Sequence, residues 1–167
     1  TELKLPANIE RINRHAIYNT GITSITIPNS VIEMGDKVMS NCRSLTSITL
    51  GNGLTHIPDG LAEGCDKLEE VTIGKRVLSA RWAFPASNIK NVYCYAKTPP
   101  TSPEDIFYGD INTNAVLHVY ANRLSRYQNA EGRKNFPTIV GDLGTLSYDI
   151  TVNVETAGTL YDALSTA

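Results

Sequence analysis

The sequence predicts a repeat solenoid: a short right-handed coil with a parallel β-sheet on one face and short helical or irregular turns on the other. A small β-α-β cap is expected at its C-terminal end. Apolar residues recur with a period of about 23 residues, and the segments that carry them alternate apolar and polar side chains as strands do. The composition also supports a solenoid, because 17 Thr and 14 Asn among 167 residues favour many short strands separated by tight turns.

The strand segment of each coil has the pattern apolar-x-x-apolar-x-apolar. Its full copies begin at Ile22, Leu45, Leu68 and Ile89, with offsets of 23, 23 and 21 residues, and a truncated first copy keeps Leu3 and Leu5. Side chains alternate along a strand, so Ile48 and Leu50 are expected to point inward and Thr49 outward. Strands separated by a whole coil run parallel, and stacking turns each apolar position into a continuous buried ladder.

Each coil also carries turn residues and a position for a small side chain. Pro-Asn-Ser, Gly-Asn-Gly and Gly-Lys-Arg follow the second, third and fourth strands. Cys42 and Cys65 occupy the small position in consecutive coils, which leaves a disulfide, a metal site or two buried thiols as alternatives. In-register neighbours have parallel Cα–Cβ vectors and Cβ atoms about 5 Å apart, whereas a disulfide needs about 3.8 Å. We therefore expect free, buried thiols, with Cys94 also pointing inward.

The segment Ile22-Thr-Ser-Ile25-Thr-Ile27 matches L-x-x-L-x-L, the opening of the leucine-rich repeat. The rest of that coil, with Pro-Asn-Ser-Val, Met34, Val-Met and Cys42, resembles the BspA-type leucine-rich repeats of bacterial surface proteins. The resemblance covers residues 1–94 and implies about five coils, the first truncated. It also implies a protein that is secreted or held at the bacterial cell surface and that takes part in adhesion to host or matrix proteins.

The chain divides into three predicted parts: a solenoid over residues 1–94, a capping segment over 95–144, and a linker or the truncated start of a following domain over 145–167. The alternative for the last part is a disordered tail. Because the chain begins at Thr1 without an initiator Met or a signal peptide, we expect it to be a piece of a longer protein.

The predicted cap follows a proline-rich stretch that cannot continue a strand ladder. Residues 115–120 alternate as a strand, Asn122 is a suitable N-cap for a helix over 123–131, and Thr138–Val140 forms a last short strand. Such a cap is needed because a bare terminal coil exposes its core and a strand edge.

The composition and the motifs exclude several classes of function. The net charge of −2 comes with no basic patch, which argues against nucleic acid as a partner, and no apolar run approaches the ~18 residues of a membrane span.

His15, His56 and His118 share no ligand spacing. Asp110, Asn112 and Asn114 imitate a calcium loop but lack its Gly and its last Glu, so a turn is favoured. We expect no enzyme, no cofactor and no metal site.

A non-enzymatic module for protein–protein interaction or adhesion fits best, with its ligand on the outward face of the strands. The candidate ligand-binding residues are Lys4, Thr26, Thr49, Thr72, Tyr93 and Tyr95. The expected partner is an extracellular protein or glycan, including host matrix proteins. The alternative is a structural spacer within a larger surface protein, because β-branched polar residues also suit an exposed sheet face. In that case Tyr95 packs under the loop at 99–100 and Tyr93 is an ordinary neighbour of Thr72.

Overall fold

The computed structural model describes residues 2–101, 106–130 and 136–147. Within these residues the chain forms thirteen short strands, one turn of 3-10 helix (Ala121–Arg123) and one α-helix. In chain order the strands and the helix are β1 (Glu2–Leu3), β2 (Arg11–Ile12), β3 (Ser24–Thr26), β4 (Glu33–Met34), β5 (Ser47–Thr49), β6 (His56–Ile57), β7 (Glu70–Ile73), β8 (Ser79–Ala80), β9 (Phe84–Pro85), β10 (Asn91–Cys94), β11 (Phe107–Tyr108), β12 (Val116–His118), α1 (Leu124–Gln128) and β13 (Thr138–Val140).

Seven strands form one parallel sheet in the order β1-β3-β5-β7-β10-β12-β13. Ile25 pairs with Ile48, Ile48 with Val71 and Val71 with Val92, so the register repeats the 23, 23 and 21 residue offsets of the sequence. The predicted repeat solenoid with a parallel sheet on one face is therefore confirmed. The sheet also continues past residue 94, because Leu117 of β12 pairs with Val92. The division of the chain at residue 94 stays a prediction.

The opposite side of the coil consists of short turns and three two-stranded pairs, β2 with β4, β6 with β8, and β9 with β11. Two backbone positions adopt the left-handed conformation in the first three turns, and the fourth turn keeps only the first of them. One is occupied by His15, Lys37, Gly60 and Trp82 in successive coils, and the other by Asn19, Asn41 and Gly64, all at φ between 41° and 73°. The first three coils thus bend at the same two points, and the second point is occupied by Asn or Gly, which enter this region at little cost.

The inside of the coil is a continuous apolar core built from the repeated positions. Ile48 and Leu50 are buried as predicted, and Thr49 between them points outward. Cys42, Cys65 and Cys94 are buried free thiols, as expected. The Sγ atoms of Cys42 and Cys65 donate to the carbonyls of Ile17 and Met39, both at 3.1 Å. Burial raises the pKa of the Cys65 thiol to about 12.

The predicted β-α-β cap is present as β12, α1 and β13. It is tied to the last coils by Tyr127 of α1, whose buried hydroxyl donates to the Ala96 carbonyl at 2.9 Å. The prediction that Asn122 is the N-cap of the helix is wrong. Its carboxamide instead pairs with the backbone of Leu146, accepting at 3.2 Å and donating at 3.0 Å. Residues 148–167, which hold most of the predicted linker or following domain, lie outside the described residues.

Candidate ligand-binding face

The outward face of the main sheet presents side chains in register from one strand to the next. Thr26, Thr49 and Thr72 lie side by side, and the same row continues into Tyr93 and His118. Because every rung adds about 4.8 Å, the row places similar groups at regular intervals across the sheet. The row changes from small hydroxyl side chains to large aromatic ones at β10.

A groove of about 430 Å³ crosses this face where the strands end. Its lining residues are Thr26, Ile27, Pro28, Asn29, Thr49, Leu50, Gly51, Asn52, Thr72, Gly74, Lys75, Tyr95 and Tyr120. Four of the six predicted site residues, Thr26, Thr49, Thr72 and Tyr95, therefore line one depression. Lys4 and Tyr93 are not part of its lining.

Glycine residues in the lining of the groove let neighbouring coils stack closely. A Cβ atom added to Gly51 would lie 2.6 Å from the carbonyl oxygen of Ile27, so the backbones of neighbouring coils touch at this point. A Cβ added to Gly74 would overlap the carbonyl oxygen of Gly51 in the same way. The sequence marked these residues only as turn formers. The structure adds that close stacking of the coils leaves no room for a side chain there.

Tyr95 and Tyr120 form a wall at one end of the groove. Their rings meet edge to face, with centroids 5.9 Å apart and an interplanar angle of 78°. Extending the strand register by two residues gives Tyr95 and Tyr120 the repeat position that Gly51 and Gly74 occupy in earlier coils. Tyr120 was missed by sequence reasoning. The sequence predicts a strand over residues 115–120, but the longer offset of that coil does not indicate which residue Tyr120 adjoins.

Tyr93 belongs to a polar cluster beside the groove. Its ring stacks on His118 with centroids 4.5 Å apart. The two ring nitrogens of His118 lie 2.8 Å from Asp142 Oδ2 and 3.2 Å from Asn91 Oδ1. Desolvation, and then the negative charges of Glu70 and Asp142, raise the pKa of the Tyr93 hydroxyl. Tyr93 is thus held in place by its neighbours in this cluster.

Polar groups along the groove have unused hydrogen-bonding capacity. Asn29 Oδ1 accepts from the backbone N–H of Asn52 at 2.8 Å, and Asn52 Oδ1 accepts from the N–H of Lys75 at 3.0 Å. This ladder fixes both carboxamides and leaves their Nδ2 groups without a partner among the described residues. The hydroxyls of Thr26, Thr49 and Thr72 likewise form no hydrogen bond with another described residue. Lys75 adds an exposed ammonium group, and no carboxylate of the described residues lines the groove.

The other residues singled out in the sequence do not converge on a site. Within the described residues no group of three or more His, Cys, Asp or Glu side chains is placed to hold a metal ion. Asn112 Oδ1 accepts from the backbone N–H of Asn114 at 2.9 Å, which closes a turn leading into β12. His56 is exposed and lies 2.9 Å from the Ser79 hydroxyl. No helix in the described part of the chain is long and apolar enough to cross a membrane.

Comparison with known proteins gives a family match over most of the chain. Residues 1–114 match the family model for the BspA type leucine rich repeat region, in six copies. Among solved structures, a leucine rich cell surface protein from Faecalibacterium prausnitzii A2-165 is similar, with 16% identity and a TM-score of 0.46. The match covers 87% of this chain and 32% of that protein, so the chain spans about a third of its length. A search of the curated proteins found no match.

Proposed function

Because the chain belongs to the family of BspA-type leucine-rich repeat regions, we propose that it is a non-enzymatic binding module of a secreted or cell-surface protein. Its ligand, an extracellular protein or glycan, lies on the outward face of the main sheet. The groove described above is the centre of that binding surface, and the residues predicted from the sequence that line it are Thr26, Thr49, Thr72 and Tyr95.

The observation that carries the proposal is the contrast between the two halves of the groove. Three hydroxyls and two amide groups without a partner among the described residues lie beside the wall formed by Tyr95 and Tyr120. Tyrosine offers a large apolar body with a polar end and loses little conformational entropy on binding, which suits it to interfaces. Polar groups that already lack a protein partner exchange water for ligand without breaking a bond within the fold.

This contrast favours a binding module over a spacer. A spacer needs only a soluble outer face, and a uniform row of Thr residues would supply it. The row instead gives way to aromatic side chains at β10, and the rings of Tyr95 and Tyr120 stand at one end of the groove beside the Thr residues. The result is a concave surface with a few convergent polar groups, which is the usual form of a ligand site.

The test is a binding screen with the chain and two arginine variants. Thr49→Arg places a long charged side chain in the middle of the groove, and Thr55→Arg makes the same change at an exposed position outside the lining. Immobilised collagen, fibronectin and mucin serve as probes, together with an array of glycans. We expect Thr49→Arg to weaken binding tenfold or more, a loss of about 1.4 kcal/mol, and Thr55→Arg to bind like the wild type.

Equal unfolding midpoints for the two variants establish that a difference in binding is not a difference in folding. If Thr49→Arg binds a probe as well as the wild type does, the ligand surface lies elsewhere on the coil. If the wild type binds none of the probes, the spacer alternative replaces this proposal.

A further inference from the structure

The groove runs across the strands, from Thr26 at the end of β3 to Tyr120 after β12. It therefore crosses β3, β5, β7, β10 and β12, and four intervals of about 4.8 Å make it about 19 Å long. A depression of this length fits a chain-like ligand better than a compact small molecule. The ligand chain would lie perpendicular to the strands, with successive units over successive coils.

The polar groups along the groove repeat with the coils. Thr26 and Asn29 belong to one coil and Thr49 and Asn52 to the next, so each of these two coils offers one hydroxyl and one amide group. In the third coil Thr72 and Lys75 take the same two places. A ligand with repeating hydroxyl groups satisfies such a row, because a sugar hydroxyl both donates and accepts hydrogen bonds. Linked pyranose rings also advance along their chain by a distance close to the spacing of the strands. A glycan chain thus matches the groove in chemistry and in period.

An extended peptide matches the groove less well. The backbone groups of the crossed strands are already used in the parallel ladder, so a peptide cannot add to the sheet on this face. Peptides that bind across a surface without such pairing need apolar pockets for anchoring side chains. Ile27 and Leu50 under the groove are at most 2% exposed, and Thr and Gly cover the floor.

The aromatic wall of Tyr95 and Tyr120 and the positive charge of Lys75 indicate which class of glycan fits the groove. The faces of Tyr95 and Tyr120 are electron-rich, and the axial C–H groups of a pyranose ring are weakly positive, so a sugar ring packs against them. Among the described residues, Lys75 is the single charged residue of the lining, and it is exposed beside the Asn52 carboxamide, whose Nδ2 has no described partner. An ammonium group without a neighbouring carboxylate in the lining favours a ligand that carries its own negative charge.

We infer that the groove binds an extended acidic glycan, with one sugar ring against Tyr95 and Tyr120 and a uronate carboxylate near Lys75. The inference rests on the proposed function and names the ligand class for the same site. In this inference Lys75 makes acidic chains bind more tightly than neutral ones. The Thr and Asn rows make affinity depend on the length of the chain.

Calorimetry with two series of oligosaccharides of two to six units tests the inference. Oligogalacturonates are the acidic probes and cello-oligosaccharides the neutral ones. We expect affinity for the acidic series to rise with length and to level off at about four units, as the length of the groove requires. We expect the neutral series to bind more weakly at every length and with less dependence on salt.

Matched variants separate the roles of charge and of shape. Lys75→Gln is expected to weaken the acidic series about two- to fivefold, the usual effect of one exposed charge, and to leave the neutral series unchanged. Lys67→Gln removes an exposed lysine outside the groove and is expected to change neither series. Tyr95→Ala and Thr49→Arg are expected to weaken both series.

The outcomes distinguish this inference from the proposed function. If no oligosaccharide binds but a matrix protein does, and Thr49→Arg abolishes that binding, the ligand is a protein and only the inference is overturned. If the saccharides bind and Thr49→Arg leaves them unaffected, the groove is not their site and the inference is again overturned. If neither saccharide nor protein binds the wild type, both proposals fail.

Discussion

Replacing Ile48 with Ala measures how much one rung of a buried ladder stabilises the solenoid. Ile48 is 1% exposed and is paired with Ile25 on one side and Val71 on the other. The change removes three carbon atoms, and at about 0.8 kcal/mol for each buried methylene the lost transfer free energy is about 2.4 kcal/mol. The backbone ladders hold the flanking rungs apart, so the cavity stays open and adds to the loss. We expect a total of about 3–4 kcal/mol.

Urea denaturation followed by circular dichroism gives the free energy of unfolding for this variant and two controls. Thr49→Ala changes the adjacent outward residue and is expected to cost less than about 1 kcal/mol. Leu3→Ala shortens a half-buried residue of the same ladder in the first strand, and its cost is expected to lie between the other two. Equal costs for Ile48→Ala and Thr49→Ala would refute the assigned strand phase. Equal costs for Ile48→Ala and Leu3→Ala would refute the role of the flanking rungs.

Three further predictions concern a glycine in a turn, the reactivity of the thiols and the effect of pH on stability. Gly74→Ala is expected to destabilise the fold by about 1–3 kcal/mol because its Cβ overlaps the Gly51 carbonyl, whereas Gly21→Ala, with open space around the added atom, is expected to be neutral or slightly stabilising in the same denaturation assay. The three buried thiols are expected to react slowly with Ellman's reagent in the native protein and rapidly in denaturant, and a mass two units below that of the reduced chain would contradict free thiols. Because burial raises the pKa of Cys65 from 9.0 to about 12, the unfolded chain loses this proton first. Its contribution to stability is therefore complete below pH 9 and is lost as the pH rises towards about 12, a decline that Cys65→Ala is expected to reduce.

The left-handed positions of the turns show how the repeat constrains the backbone even where its residues differ. His15, Lys37, Gly60 and Trp82 share neither charge nor size, yet all have positive φ. The shared feature is the bend that brings each coil back to the sheet. A search for similar side chains would miss these equivalences, whereas counting from the strand positions finds them.

The repeat allowed the coil interior to be predicted from sequence alone. The period, the strand phase and the small position shared by Cys42 and Cys65 all follow from local spacing, because burial of an apolar ladder requires the same residue type at the same place in each coil. The parallel pairing of the strands follows as well, since a whole coil separates them. Those predictions are confirmed by the register and the burial of the ladders.

Contacts between the last coils and the cap were decided by the tertiary structure. The offset from Val92 to its partner Leu117 is 25 residues, and from Leu117 to Ile139 it is 22, so the period that located the earlier strands does not say which residues adjoin there. That register places Tyr120 against Tyr95 and His118 against Tyr93. Only the first pair shapes the groove.

Asn122 illustrates the same limit at the level of a single side chain. Its residue type suits an N-cap, but a partner 24 residues away in sequence, the backbone of Leu146, takes both ends of its carboxamide. Local propensity is a weak preference, and a pair of hydrogen bonds supplied by a distant segment outweighs it. The sequence alone therefore determined the coil and its inner and outer faces, whereas the groove depends on which distant residues the stacked coils bring together.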